Sequence, residues 1–287
     1  MHPQPLLSFT LFEKELSIYP YGIMTAIGII SCIIVFYIYT KKKNMPTSVQ
    51  DFSFFVIIIA VIIGYLFAKL YQAFYDFLES GEWDFYNAGI TAMGGFIGGA
   101  GGFLLAYFVG GKLYFKGKKE GLHKKEFEKI FCIAPACITI AHAFGRIGCL
   151  MAGCCHGSYV GNKWTFGTVP RYTYYSSGTV KLDGYYVGTQ LFEAIFLFAL
   201  FAILSILYLK KYKRLCMPIY LISYGIWRFI IEFFRTDERG YSLLGLYPSQ
   251  WQSIFFIVVG IGIFVYYKIK KQSLIDKPEE ESKQEQK

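Results

Sequence analysis

Long apolar runs constrain the fold of this chain more than any other feature of its sequence. Crossing about 30 Å of hydrocarbon takes roughly 20 helical residues, and seven stretches of the chain are that long. They lie near 18–40, 52–76, 88–110, 130–153, 189–209, 215–235 and 249–267. The sequence therefore predicts an all-α, polytopic membrane protein with seven transmembrane helices.

Composition supports a lipid-embedded protein and excludes one class of partner. Charged residues make up 17% of the chain, whereas soluble domains average about 25%. The formal charge of +9 is divided among short clusters of lysine and arginine between the apolar runs. Because no basic face can form outside the bilayer, we predict no nucleic-acid binding.

The cation clusters alternate with cation-poor loops, which predicts an orientation. The cation-rich stretches are 41–51, 111–129, 210–214 and 268–271. The cation-poor stretches are 78–87, 154–188 and 236–248. Cytoplasmic loops of membrane proteins carry the excess of lysine and arginine. We therefore expect the N-terminus outside and the C-terminus in the cytoplasm.

The sequence predicts one membrane domain over residues 1–271. Its only sizeable outer-side piece is a small cap segment over 154–188, whose Gly, Ser and Tyr content indicates turns and short strands. Residues 1–17 lack the basic region of a cleavable signal peptide. The cytoplasmic tail over 272–287 is rich in Glu, Lys and Gln, which predicts disorder.

Polar residues of the spans gather in the predicted outer half of the membrane. Arg228, Glu232 and Arg235 are spaced i, i+4 and i+7 on the sixth span, so they share one helix face. His142 and Arg146 are spaced i and i+4 on the fourth. The same half contains Tyr21, Lys69, Gln72, Asp76, Gln190 and Glu193. Because a charge in lipid is costly, such groups usually face a partner or a wet cavity.

Two interpretations of this polar cluster stay open at this level. In the first, it is an internal Arg–Glu network that only fixes helix packing. In the second, its three arginines outnumber its two carboxylates and bind an anionic ligand such as a lipid phosphate. A guanidinium suits that ligand because it grips two phosphate oxygens at once.

Glycines repeat every four residues in the third span, at Gly94, Gly98 and Gly102. This small-xxx-small spacing lets helices approach closely, which favours a packing role. A glycine face bordering a lipid groove is the alternative. A phosphate-binding loop is disfavoured because no Gly-Lys-Ser/Thr follows.

The odd number of cysteines, seven, argues against a disulfide framework. Four of them lie in apolar runs and are expected to act as small hydrophobes, namely Cys32, Cys132, Cys137 and Cys216. The fourth span ends in the cluster Cys149, Cys154, Cys155 and His156. A structural disulfide, inert thiols or a redox role are open for this cluster. Its spacing lacks a Cys-x-x-Cys pattern, so we predict no metal.

Four motifs carry a resemblance to a known family. They are Tyr21-Gly22-Ile23-Met24, Gly94-Gly95-Phe96-Ile97-Gly98-Gly99, Gly145-Arg146-Ile147-Gly148 and Arg228-Phe229-Ile230-Ile231-Glu232-Phe233-Phe234-Arg235. In these motifs, and across all seven spans, the chain resembles the bacterial prolipoprotein diacylglyceryl transferases.

The resemblance implies a multi-pass enzyme of the bacterial plasma (inner) membrane. Such enzymes move a diacylglyceryl group from phosphatidylglycerol to the lipobox cysteine thiol of a prolipoprotein. We expect no cofactor for this chain. The catalytic residues it implies here are Arg146, Arg228, Glu232 and His142. The substrate-binding residues it implies are Arg146, Arg228, Tyr21, Arg235, Glu193 and Gln190.

The chain departs from the family pattern at four positions. Cys149, Ala152 and Cys154 stand where the signature has Asn, Asn and Glu, and Met93 stands where the family has a His. These departures leave two alternatives to the transferase. One is a thiol-redox or metal-linked membrane protein built on the cysteine cluster, and the other is a non-catalytic lipid-binding relative.

Overall fold

The computed structural model describes residues 4–11, 14–175, 179–210, 212–236 and 244–270. Within these residues, seven helical segments are long and apolar enough to cross a membrane, which confirms the predicted fold class. The predicted tail over 272–287 lies outside the described residues. The helices are α1 (Pro20–Lys42), α2 (Thr47–Ser80), α3 (Ala92–Leu105), α4 (Gly111–Tyr114), α5 (Leu122–Ala152), α6 (Thr189–Leu209), α7 (Cys216–Ile231) and α8 (Pro248–Ile269).

Short irregular helical segments extend two of the spans. A π-helical stretch, Ala106–Gly110, joins α3 to α4, so that the third span runs over Met93–Tyr114. Tight 3₁₀ turns at Lys213–Leu215 and Glu232–Phe234 flank α7 and complete the sixth span.

Among the described residues, two small antiparallel sheets accompany the helices. Strands β1 (Leu7–Leu11) and β2 (Lys14–Ile18) form a hairpin directly before α1, which the sequence did not predict. Strands β3 (Tyr159–Gly161), β4 (Thr168–Tyr174) and β5 (Val180–Val187) form a sheet in the order β3-β5-β4. This second sheet confirms the short strands expected in 154–188.

Three helices begin well away from the starts of their predicted spans. Helices α2 and α5 begin earlier than predicted, at Thr47 and Leu122. In both extensions one face is buried, since Val49 is 0% and His123 is 2% exposed. Helix α3 begins later, because the Thr91 side chain accepts a hydrogen bond from a backbone N–H of its first turn. Apolarity marks the lipid-crossing part of a helix, whereas amphipathic ends and caps decide where it stops.

The chain divides into two compact units. One comprises the described residues of Met1–Phe36 and Cys132–Lys287, and the other comprises Tyr37–Phe131. All sequence-predicted catalytic and substrate-binding residues belong to the first unit.

In the second unit, the glycine face of α3 packs directly on α2. A Cβ atom on Gly94 would lie 2.6 Å from Cβ of Tyr71, and one on Gly98 would overlap Cβ of Phe67. A Cβ on Gly102 would likewise lie 2.8 Å from the α2 side chain beneath it. The packing interpretation of the glycine repeat is therefore confirmed.

In the first unit, glycines allow two pairs of helices to approach closely. Helix α7 meets α8 at Gly225, where a Cβ would lie 2.9 Å from the Ser253 carbonyl oxygen. Helix α1 meets α5 at Gly28, where a Cβ would lie 2.8 Å from the Ala141 carbonyl oxygen. These close approaches fix α5 and α7, the two helices that carry Arg146 and Arg228.

Candidate active site

The centre of the polar cluster is an ion pair between α5 and α6. The Nε atom of Arg146 lies 2.9 Å from Oε2 of Glu193. Both side chains are withdrawn from solvent, at 12% and 2% exposure respectively. In a buried setting neither charge is tolerated without the other, so the pair fixes both side chains.

Two further side chains surround the Glu193 carboxylate. The Tyr224 hydroxyl of α7 donates a hydrogen bond of 3.2 Å to Oε1 of Glu193, and the same hydroxyl hydrogen bonds Arg146. The Nε2 atom of His142 lies 3.9 Å from Oε1 of Glu193. The His142 ring meets the Tyr224 ring edge-on, with their centroids 5.2 Å apart. Three helices therefore converge on one carboxylate.

A second ion pair lies within the end of the sixth span. Nη2 of Arg228 lies 2.7 Å from Oε2 of Glu232, one helical turn further on. Glu232 is 1% exposed, and Arg228 is 12% exposed. Nη1 of Arg228 is buried and makes no hydrogen bond to a described residue. The second arginine therefore has a donor to offer to a ligand.

The charges of the site do not cancel. Arg146, Arg228 and Arg235 carry three positive charges, against two negative charges on Glu193 and Glu232. Arg235 is 9% exposed, and its backbone pairs with Gly157 beyond the end of α5. Among these five side chains, all within the described part of the chain, positive charges exceed negative ones by one, which favours an anion.

Tyr21 borders the site from the start of α1. Its ring packs on α5, since a Cβ on Gly148 would lie 3.1 Å from Cδ2 of Tyr21. Next to it lies a shallow groove with a volume of about 500 Å³. The groove is lined by Ser17, Ile18, Tyr19, Pro20, Tyr21, Gly22 and Ala152. Its walls are mostly apolar, as a lipid or an extended apolar peptide requires.

The chain turns sharply after α5, and the turn gathers three thiols. The sulfur atoms of Cys149, Cys154 and Cys155 all lie within 4.8 Å of one another. Hydrogen bonds with Cys149 and Cys154 lower the pKa of the Cys155 thiol, and the nearby charges of Arg235 and Arg146 lower it further.

The neighbouring His156, which the sequence grouped with these cysteines, makes other contacts. Its Nδ1 lies 3.0 Å from the Gly157 carbonyl oxygen and its Nε2 lies 3.1 Å from Nη1 of Arg171. Its ring packs on Tyr186, with centroids 4.5 Å apart. The structure therefore separates His156 from the thiols.

Gln190 supports this turn from the first turn of α6. Its Nε2 donates a hydrogen bond to the Cys154 carbonyl oxygen, and the side chain is 1% exposed. Its Oε1 is buried and makes no hydrogen bond to a described residue. The structure shows Gln190 fixing the backbone, while the predicted contact with substrate stays a prediction.

Three polar residues that the sequence grouped with the site lie in the second unit. There, Nζ of Lys69 donates a hydrogen bond of 2.8 Å to the Tyr86 carbonyl oxygen. Gln72 donates one of 2.7 Å to Oδ1 of Asp76. Lys69, Gln72 and Asp76 therefore make hydrogen bonds to residues of their own unit.

Sequence reasoning missed one member of the site, Tyr224. The signal was present, because Tyr224 precedes Arg228 by one helical turn and shares its face. A tyrosine in an apolar helix is nevertheless commonplace, since its ring packs like any aromatic. Only the approach of α6 to α7 shows its hydroxyl meeting Glu193.

Comparison with known proteins identifies the family. The family model for prolipoprotein diacylglyceryl transferases matches residues 8–266, which is most of the chain. The chain belongs to this family. The resemblance stated from four motifs is thereby confirmed, and the protein is a multi-pass bacterial membrane protein.

Relatives of the family align with nearly the whole chain. A phosphatidylglycerol–prolipoprotein diacylglyceryl transferase of Clostridium tetani is 32% identical over 276 residues, covering 94% of this chain and 100% of the relative. Transferase 2 of Clostridium perfringens is 33% identical, covering 89% and 93%. A relative from Dehalococcoides mccartyi is 29% identical, covering 90% and 92%.

Proposed function

We propose that this protein transfers a diacylglyceryl group from phosphatidylglycerol to the lipobox cysteine thiol of prolipoproteins. The reaction forms a thioether and releases glycerol phosphate. The observation that carries the proposal is a pair of arginines, each 12% exposed and each oriented by a buried carboxylate, in a family whose named relatives are such transferases.

Arg146 and Arg228 bind the phosphate of the lipid. Each guanidinium is fixed by one carboxylate, so its remaining N–H groups are pre-oriented for an anion. Charge builds up on the phosphate oxygen as the bond to the glyceryl carbon breaks. Donors fixed in advance in a dry site stabilise that charge without reorganising, and in many enzymes this stabilisation contributes more to the rate than any other effect.

The remaining predicted residues orient these arginines or contact the substrates. Glu232 holds Arg228, and Glu193 with Tyr224 holds Arg146. Arg235 adds a third positive charge near the end of the sixth span.

The acceptor thiol needs a base, because its unperturbed pKa of about 8.5 leaves it mostly protonated near neutral pH. His142 takes this proton. The position of its Nε2 atom, 3.9 Å from the Glu193 carboxylate, supports this role. A carboxylate at that distance favours the imidazolium that forms, against the opposing charges of Arg146 and Arg228.

We further propose that the site faces the outer leaflet, with the N-terminus outside and the C-terminus in the cytoplasm. The cation-rich stretches 41–51, 111–129 and 210–214 support this orientation. Both substrates reach an outward-facing site after export of the prolipoprotein.

Depletion and complementation test the proposed function. A bacterial strain depleted of its own diacylglyceryl transferase is supplied with this gene, or with an Arg228→Gln variant expressed at the same level. We expect the wild type to restore growth and to add the mass of a diacylglyceryl group to lipoprotein cysteines, and the variant to do neither. Phosphatidylglycerol binding without that mass would identify a non-catalytic lipid-binding relative instead.

A further inference from the structure

The three thiols at the end of α5 have no part in the function proposed so far. Cys149 lies in the last turn of the helix, and Cys154 and Cys155 follow the turn. Their sulfur atoms converge to within 4.8 Å of one another, although two of them are adjacent in sequence and the third lies five residues earlier.

The backbone of this turn is held in place by several contacts. Gly153 reverses the chain with a φ of 77°, and Cys155 adopts a left-handed φ of 61°. Such a conformation is unfavourable for a non-glycine residue and persists where the surroundings impose it. Here Gln190 donates a hydrogen bond to the Cys154 carbonyl oxygen and Thr189 donates one to that of Cys155. The site is therefore built before any ligand arrives.

The geometry suits a thiophilic metal ion. Zinc binds thiolate sulfur at about 2.3 Å in a tetrahedral arrangement, which places the sulfur atoms about 3.8 Å apart. Sulfur atoms already within 4.8 Å need to move by about 1 Å to reach such a site. The C-terminal carbonyl groups of α5 also favour a cation at this end of the helix.

The number of protein ligands, three, is typical of a catalytic zinc site rather than a structural one. Structural zinc sites are closed by four protein ligands, whereas catalytic sites use three and leave the fourth position open. His156 does not supply the fourth ligand, because its ring nitrogens face Gly157 and Arg171. The cysteine thiol of a substrate could occupy the fourth, open coordination position of a metal ion held by these three sulfur atoms.

We infer that Cys149, Cys154 and Cys155 bind one zinc ion whose fourth position takes the thiol of the acceptor cysteine. The inference rests on the proposed function, which supplies that acceptor. Arg146 lies one turn before Cys149 on the same helix, so the phosphate and the thiol would meet at one end of α5. The groove beside Tyr21 and Ala152 opens at the same place.

The step balances without any further reactant. The acceptor thiol binds zinc as a thiolate, and its proton passes to water and from there to His142. The sulfur then attacks the glyceryl carbon that carries the phosphate, forming the C–S bond as the C–O bond breaks. The phosphate oxygen keeps the bonding pair and leaves as glycerol phosphate. Nothing is oxidised or reduced, and the thioether product is released because it binds zinc more weakly than a thiolate does.

The first test measures metal in the purified full-length protein. Reduced protein is loaded with zinc, passed over a desalting column and assayed for bound metal, and a parallel sample is loaded with cobalt(II). We expect stoichiometric zinc and a thiolate-to-cobalt charge-transfer band, both lost in Cys149→Ser and Cys155→Ser. Cys32→Ser is the matched control, since Cys32 lies in the same unit outside this cluster, and it should retain both signals.

A second measurement tests the open position. A lipobox peptide with its cysteine should shift the cobalt bands, whereas a peptide with serine in place of that cysteine should not. Wild-type protein that holds no metal, with the three thiols free or joined as a disulfide, would overturn the inference. Bound cobalt that does not respond to the cysteine peptide would also overturn it.

Diacylglyceryl transfer measured on the same preparations separates this inference from the proposed function. Transfer that is unchanged in metal-free protein overturns the inference and leaves the proposed function standing. A cysteine-dependent cobalt shift in a protein that transfers nothing supports the site and overturns the proposed function.

Discussion

Replacing Arg146 by lysine separates a phosphate-binding arginine from a structural one. Arg146 already meets Glu193 through Nε at 2.9 Å and hydrogen bonds Tyr224. The planar guanidinium of Arg146 can make both contacts and still present N–H groups to a phosphate. Lysine offers a single nitrogen and cannot satisfy all three partners at once.

The structure sets the expected size of the effect. Arg146 is 12% exposed, so the proposed phosphate contact would be made in a largely dry site. Losing one charge-assisted contact to the transition state there costs about 2.7–4 kcal/mol, or about 100- to 1000-fold in rate. Folding should change much less. Lysine keeps a positive charge opposite Glu193 and avoids the cost of about 3–5 kcal/mol for an uncompensated buried charge.

The assay is diacylglyceryl transfer to a lipobox peptide, with thermal unfolding in detergent measured in parallel. Arg171→Lys is the matched control, because Arg171 is 46% exposed and lies 4.0 Å from Oδ2 of Asp183. An exposed pair of this kind contributes about 0–1 kcal/mol, so activity and stability should both be kept. Turnover by Arg146→Lys close to that of the wild type would refute the role of Arg146 in phosphate binding.

Three further predictions address stability and topology. Glu193→Gln removes the carboxylate from a buried ion pair, so we expect it to lower the free energy of unfolding by about 3–5 kcal/mol; an unchanged melting temperature would contradict the pairing. Gly98→Ala should destabilise the packing of α3 on α2 by about 1–3 kcal/mol, whereas Gly101→Ala, with nothing within 4 Å of its Cβ position, should be neutral or slightly stabilising in thermal unfolding. Reporter fusions should be cytoplasmic after Lys125 and external near Asp84, and the opposite pattern would invert the proposed orientation.

Much of the fold could be predicted from sequence because lipid imposes simple rules. An apolar run of about 20 residues has to cross as a helix, so the seven spans followed from length and composition. The i, i+4 spacing of Arg228 and Glu232 placed them on one face, and the structure joins them at 2.7 Å. The glycine repeat predicted close helix packing for the same reason, since its residues share one face of α3.

Contacts between segments distant in sequence required the tertiary structure. The pairing of Arg146 with Glu193 depends on how α5 meets α6, and the Tyr224 hydroxyl joins them only because α7 approaches as well. No local pattern encodes such an approach.

The three thiols illustrate the same limit. By spacing alone, Cys149, Cys154 and Cys155 did not predict a metal site, because their pattern is not Cys-x-x-Cys. The left-handed backbone at Cys155 and the hydrogen bond from Gln190 to the turn bring the sulfur atoms together. Periodicity along the chain thus determined which residues share a helix face, whereas the packing of helices and the path of one turn decided which side chains meet.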